Sequence, residues 1–239
     1  MKITYIFHSG FAVETDNSIF VFDYYRKELP GEIAETKKNV IFFSSHTHSD
    51  HFNPEIFSYA RDNVYYVISK DIEDKIVHRN MLDNYKNVNL IYVKPHETLS
   101  LFSDSVLIET LKSTDRGVAF IVTTEGKTVY HAGDLSIWNF EDTPKEKAND
   151  MTARYKREME LIKGRTFHAA FLPVDYRLGK FYADGAISFL KNTNTLNVFP
   201  MHMWKKYEYI DTFKNDTAMK DYTGTIHVTD TTGNEFVLD

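Results

Sequence analysis

The chain has 239 residues, a formal net charge of −6, no cysteine, and an aromatic complement of 18 Phe, 15 Tyr and 2 Trp. That length allows one large domain with a substantial core, and the lack of cysteine excludes disulfides, thiolate catalysis and cysteine-held zinc. Lys and Arg are scattered without a basic stripe, which argues against a nucleic-acid partner. No stretch approaches the roughly 20 apolar residues of a membrane span, and the start has no apolar signal segment, so a cytoplasmic protein with no membrane association is expected.

The first elements read as a β-rich entry: Ile3–Phe7, Phe11–Thr15 and, after the turn Asp16-Asn17-Ser18, Ile19–Tyr24. A polar connection over 26–38 leads to a strand at Val40–Ser45. Asn53-Pro54 has the form of an N-cap followed by proline at the first helical position, with a helix running to about Arg61. Val64–Ser69 predicts a strand and Asp71–Met81 a helix with Ile72, Ile76 and Val77 on one face.

A β-rich block follows at Leu90–Val93, Leu99–Phe102, Val106–Leu111, Gly117–Thr123 and Thr128–His131, with Glu125-Gly126 as a turn. The spacing of Met151, Tyr155, Met159 and Ile162 predicts an amphipathic helix over 151–163, preceded by a charged loop over 141–150. Ala169–Val174 reads as strand, Ala183–Lys191 as helix, Leu196–Pro200 as strand, and the chain closes with strands near Gly224–Val228 and Glu235–Leu238. Strands clustered in each half with helices between them predict two sheets covered by helices, in a single domain spanning 1–239.

Chemistry concentrates where apolar strands end. Ile41-Phe42-Phe43-Ser44-Ser45 runs into His46-Thr47-His48-Ser49-Asp50-His51, three imidazoles and a carboxylate within six residues. These are good ligands for zinc and other first-row divalent ions. Alternation lets His46 and His48 point one way while Asp50 and His51 turn toward a second position, as two metals about 3.5–4 Å apart require. Two further strands end in ionisable residues: Val129-Tyr130-His131-Ala132-Gly133-Asp134 and Val198-Phe199-Pro200-Met201-His202. Taken alone, Asp134 reads equally as a turn aspartate and His202 as a hydrogen-bonded core histidine.

In that order, His-x-His-x-Asp-His, Gly-Asp and a strand-end His resemble the metallo-β-lactamase superfamily. His8-Ser9-Gly10-Phe11, Pro173-Val174-Asp175 and Pro200-Met201-His202-Met203-Trp204 look more like its branch of ascorbate-6-phosphate lactonase-like hydrolases than like true β-lactamases. The resemblance implies a four-layer αβ/βα sandwich of two mixed sheets flanked by helices. It implies two divalent metal ions, zinc first with manganese or iron as alternatives. His46 and His48 would bind one, Asp50, His51 and His202 the other, and Asp134 would bridge.

The superfamily usually supplies one more histidine, in a segment whose equivalent here is Lys112-Ser113-Thr114-Asp115-Arg116-Gly117. Thr114 or Ser113 falls at its place, depending on alignment; Asp115, one or two residues away, is the candidate substitute ligand, with a turn cap as the alternative reading. A carboxylate there makes the site harder and favours manganese or iron over zinc.

The expected activity is hydrolysis of a small anionic ester or lactone by a metal-activated hydroxide, with Asp50 orienting the nucleophile or taking its proton. Alternatives are a phosphodiesterase or nuclease of the same superfamily, and a non-catalytic metal-binding protein. His8 and His131 are expected beside the metal ligands, as their hydrogen-bonding partners, or in the cleft. Arg177, Trp204, Arg116 and Lys205 lie near site segments and are candidates for substrate contact. The 138–163 segment is a candidate lid, with Trp138 or Tyr155 lining a pocket. Association into a homo-oligomer stays open.

Overall fold

The apolar runs of the chain form two seven-stranded mixed sheets, the first from the N-terminal strands with the last strand of the chain and the second from the strands between them. The computed structural model describes residues 1–239, which divide into two compact units: 1–94 with 231–239, and 95–230. No helix is long and apolar enough to cross a membrane.

In the first unit the strands are β1 (Lys2–Phe7), β2 (Gly10–Glu14), β3 (Ser18–Phe22), β4 (Asn39–Ser44), β5 (Val64–Ser69) and β6 (Asn89–Val93), with Glu235–Val237 outside β1. The C-terminal strand, β1, β2 and β3 pair antiparallel, and β3 to β6 pair parallel. Parallel strands covered on both faces read as unbroken apolar runs rather than alternation, and every residue of β3 is buried. Helices α1 (Glu32–Glu35) and α2 (Glu73–His78) belong to this unit. The helix expected after Asn53 is a 3-10 segment, Pro54–Tyr59, capped by Asn53 Oδ1 accepting from Glu55 N at 2.9 Å. The one expected over 71–81 divides into a 3-10 turn, Lys70–Ile72, and α2.

The second unit holds β7 (Thr98–Leu101), β8 (Val106–Lys112), β9 (Val118–Thr124), β10 (Lys127–His131), β11 (Thr166–Phe167), β12 (Ala169–Pro173), β13 (Asn194–Thr195), β14 (Asn197–Met201) and β15 (Thr225–Ile226). β7 to β10 form an antiparallel meander, and β10, β12, β14 and β15 run parallel. The two-residue strands β11 and β13 pair as a small separate ladder that periodicity could not show.

Helices α3 (Lys145–Leu161), α4 (Asp184–Asn192) and α5 (Glu208–Lys214) complete the unit. α3 begins six residues before the amphipathic stripe, so part of the expected charged loop is helix. Pro144 stands at the N-cap, and its carbonyl accepts the first helical N–H, from Ala148, at 3.0 Å. Each unit thus has the sheet-and-helix make-up that the sandwich reading requires.

In both sheets the parallel strands deliver the chemistry at their carboxyl ends, where open α/β sheets place ligands. β3 runs into Asp23, β4 into Ser45 and His46, β10 into Asp134, β12 into Asp175 and β14 into His202.

Candidate metal centre

The first unit's cluster is built on Asp23. Its Oδ1 accepts the Ser45 backbone N–H at 2.7 Å, while Oδ2 accepts Ser45 Oγ–H at 2.7 Å and His51 Nδ1–H at 2.7 Å. Both the Asp23 and His51 side chains are sealed from solvent. Because Ser45 Oγ gives its proton to Asp23, it accepts from His46 Nδ1 at 3.0 Å. One carboxylate therefore fixes two imidazoles, one directly and one through a hydroxyl, leaving Nε2 as the lone-pair nitrogen of each. Carboxylate–histidine pairing of this kind orients metal ligands and raises their basicity.

The loop after β4 is held from behind. His51 and Phe52 both donate backbone N–H to His48 O, at 3.1 and 3.0 Å. Phe52 is buried in the core cluster with Phe57 and Ile56, and Thr47 is pinned by Asp71 at 3.1 Å and Lys75 at 2.9 Å. His46 Nε2 and His48 Nδ1 converge to 2.9 Å. Asp50 Oδ2 lies 3.3 Å from His8 Nε2 and 3.6 Å from His51 Nε2. His8 thus stands within reach of the Asp50 carboxylate, and Asp23 is a central residue that the sequence reading passed over.

The second unit repeats the device. His202 Nδ1 donates to Asp175 Oδ2 at 3.0 Å, and His202 Nε2 faces Asp134 Oδ1 at 3.5 Å. Burial pushes the Asp175 carboxyl up, but hydrogen bonds from His202 and Arg177 outweigh it and hold the group at about 2. Asp175 is therefore a carboxylate at any neutral pH. Ligand atoms of Asp115 and Asp134 lie within 4.8 Å of one another. His131 is buried and its Nδ1 accepts the Gly133 N–H at 3.1 Å, which shapes the turn presenting Asp134.

Three of these residues adopt left-handed backbone: His8 at φ 59°, Asp23 at 43° and His202 at 66°. Such conformations cluster at functional sites.

Arg177 is engaged by Asp175, with Nε at 2.9 Å, and its guanidinium lies 4.9 Å over the Trp204 ring. Its position beside the site comes from ordering Asp175. Trp204 stands edge-on to His202 at 5.8 Å. Arg116 and Lys205 are exposed.

Trp138 donates Nε1–H to Asp134 O at 2.8 Å and lines a cavity of about 730 Å³ with Asn139, Lys147, Met151 and Arg154. Tyr155 does not line it. Its ring is buried and its hydroxyl donates to Gly185 O at 2.7 Å, which ties α3 to α4.

Only imidazole and carboxylate donors are assembled, and two of the rings carry a carboxylate on the far nitrogen; this donor set fits divalent first-row ions.

Comparison with known proteins agrees in kind. Residues 2–150 match the family model described as a beta-lactamase superfamily domain. A UPF0173 metal-dependent hydrolase of Opitutus terrae is 24% identical over 213 residues, covering 84% of each chain. The fold resembles Igni18, a metallo hydrolase of the archaeon Ignicoccus hospitalis, with a TM-score of 0.66 and 18% identity over 100% of this chain and 99% of that one. It also resembles CmlA, a diiron beta-hydroxylase of Streptomyces venezuelae, with a TM-score of 0.64 and 14% identity over 99% of this chain and 54% of that one.

Proposed function

The chain belongs to the beta-lactamase superfamily, and on that premise we propose that it is a metal-dependent hydrolase of small anionic esters or lactones with a two-metal centre. The observation that carries this reading is the repeated pairing of a buried carboxylate with a histidine, Asp23 with His51 and Asp175 with His202. A buried imidazole that needed only a packing role would gain nothing from facing its second nitrogen toward another carboxylate, as His202 does toward Asp134 at 3.5 Å.

The residues that would hold one ion are His46 and His48 with Asp115. Asp50, His51 and His202 would hold the other, and Asp134 would be shared. Bound divalent ions lower the pKa of water from 15.7 to about 7 and polarise a substrate oxygen. Carboxylate in place of one imidazole makes the donor set harder, so manganese or iron is favoured over zinc.

Asp50 Oδ2 is the proton acceptor for the attacking water. His8, 3.3 Å away, orients that carboxylate. The cavity beside Trp138 receives the part of the substrate away from the reacting bond; its walls carry Lys147 and Arg154 together with Glu146 and Asp150, and Arg154 is held by Asp150 at 3.0 Å. Lys147 is therefore the wall cation suited to a carboxylate or phosphate group on the substrate.

The test is metal content of the purified chain, followed by turnover of an ester, lactone and phosphodiester panel by the wild type, His48→Ala and Asp134→Ala. About two equivalents of metal, and loss of turnover in both variants with circular dichroism unchanged, is the expected result. Retained activity in both would refute the reading. Hydrolysis confined to phosphodiesters would transfer the same centre to the phosphodiesterase class.

A further inference from the structure

The loop joining β8 to β9 occupies the place where the superfamily usually supplies a histidine, and it contains none. Its shape is tightly determined. Ser113 N–H donates to Gly117 O at 3.2 Å, with Gly117 at φ 65°, and Asp115 N–H donates to Ser113 Oγ at 3.2 Å. Asp115 therefore sits at the apex of a closed turn.

Thr114 sends its side chain to the neighbouring loop. Its Oγ1 donates to Ser136 O at 2.6 Å and accepts from Ser136 N–H at 3.1 Å. A hydroxyl that both gives and takes a hydrogen bond on one residue's backbone sets the spacing of the two loops. Thr114 is 5% exposed, so water cannot substitute for that pair. From the other side Thr114 O accepts Arg154 Nη1–H at 2.8 Å, and Arg154 Nε binds Asp150 at 3.0 Å on the same helix.

The far end of the clamp is fixed as well. Gly185 of α4 packs so closely that an added Cβ would lie 2.2 Å from Ser136 Oγ.

From this geometry we infer that Thr114 and Arg154 are positioning residues that hold Asp115 beside Asp134, so that a carboxylate takes the ligand place of the missing histidine. The inference rests on the two-metal reading above. Thr114 supplies the distance between the loops, Arg154 anchors the loop to α3, and the next residue along, Asp115, is the one presented to the ion.

The test is calorimetric titration of the chelator-treated full chain with Mn²⁺, comparing wild type, Asp115→Asn, Thr114→Val, Thr114→Ser and Arg154→Met, with thermal unfolding of each metal-free form alongside. The wild type should bind two equivalents. Asp115→Asn should weaken one of them and so identify it. Thr114→Val should weaken that same equivalent about 10–100-fold, the usual effect of removing an outer-shell partner, while the other equivalent keeps its affinity. Thr114→Ser should restore it. A general loss of stability would not select one equivalent, nor be rescued by serine.

If Thr114→Val does not fold, Arg154→Met, on a half-buried helix position, must weaken the same equivalent. Unchanged affinity for both equivalents in Thr114→Val and Arg154→Met overturns the inference and leaves the two-metal reading standing. So does Asp115→Asn with both equivalents intact. A wild type that binds fewer than two equivalents overturns both.

Discussion

Asp23 receives His51 Nδ1–H at 2.7 Å, with both side chains closed to solvent, and the same carboxylate holds Ser45 by two further bonds of 2.7 Å. Asp23→Asn cannot reproduce this, because an amide has one accepting oxygen and must turn N–H groups toward a donor. Metal affinity should fall about 10–100-fold, with both His46 and His51 disturbed. Calorimetric titration of the metal-free variant checks it, and an affinity equal to wild type would remove Asp23 from the centre.

Arg177 separates two roles. If it orders Asp175, as its 2.9 Å bond indicates, Arg177→Met should weaken metal binding by up to about 10-fold. A substrate-binding arginine would behave differently, raising KM with metal content unchanged. Parallel metal titration and Michaelis kinetics distinguish the cases.

Tyr155 tests the lid idea. Its hydroxyl is spent on Gly185 O at 2.7 Å in the interior. Gly185 lies in the first turn of α4, where its carbonyl also serves the helix, so Tyr155→Phe removes one hydrogen bond and should cost about 0.5–1.5 kcal/mol, a Tm loss of roughly 1–6 °C for a chain of this size. Michaelis parameters should not move. A large KM change with unaltered Tm would return Tyr155 to the pocket.

His168 predicts a pH effect. Burial, then the nearby Lys127, push its pKa below 6.5, and its neutral Nδ1 accepts Thr128 N–H at 3.0 Å. The unfolded chain takes up this proton more readily than the folded one. The contribution to stability is therefore present above about pH 6.5 and is lost as pH falls through the lowered value. His168→Asn should show a smaller Tm drop than wild type between about pH 7.5 and about pH 5. Equal drops would mean His168 does not titrate on unfolding.

The strands were legible because their residues are buried in unbroken runs: Val64–Ser69 is the same segment in sequence and structure. The His46–His51 loop was legible because its ligands are neighbours in the chain. Asp23 was not, since it is joined to His51 only by the parallel pairing of β3 with β4, and the strand expected over Ile19–Tyr24 runs through it, whereas β3 ends at Phe22 and leaves Asp23 at the strand end. Asp175 was visible only as part of a resemblance. Its partner His202 lies on the adjacent parallel strand's end, a relation that register creates and spacing does not reveal. Thr114 was noticed for the imidazole it lacks, whereas its structural content is the hydroxyl that grips Ser136.

The left-handed backbone at His8, Asp23 and His202 bears on how this protein would respond to laboratory evolution. Non-glycine residues hold such conformations at a cost of about 1–3 kcal/mol each, and glycine adopts them without that strain. Relief of strain is offset at Asp23 and His202 by the lost hydrogen bonds, and at His8, which is buried against the rings of Phe7, Tyr25 and His51, by the cavity that glycine would leave. A library selected for heat resistance alone would therefore leave all three positions as they are, even with no selection for metal binding.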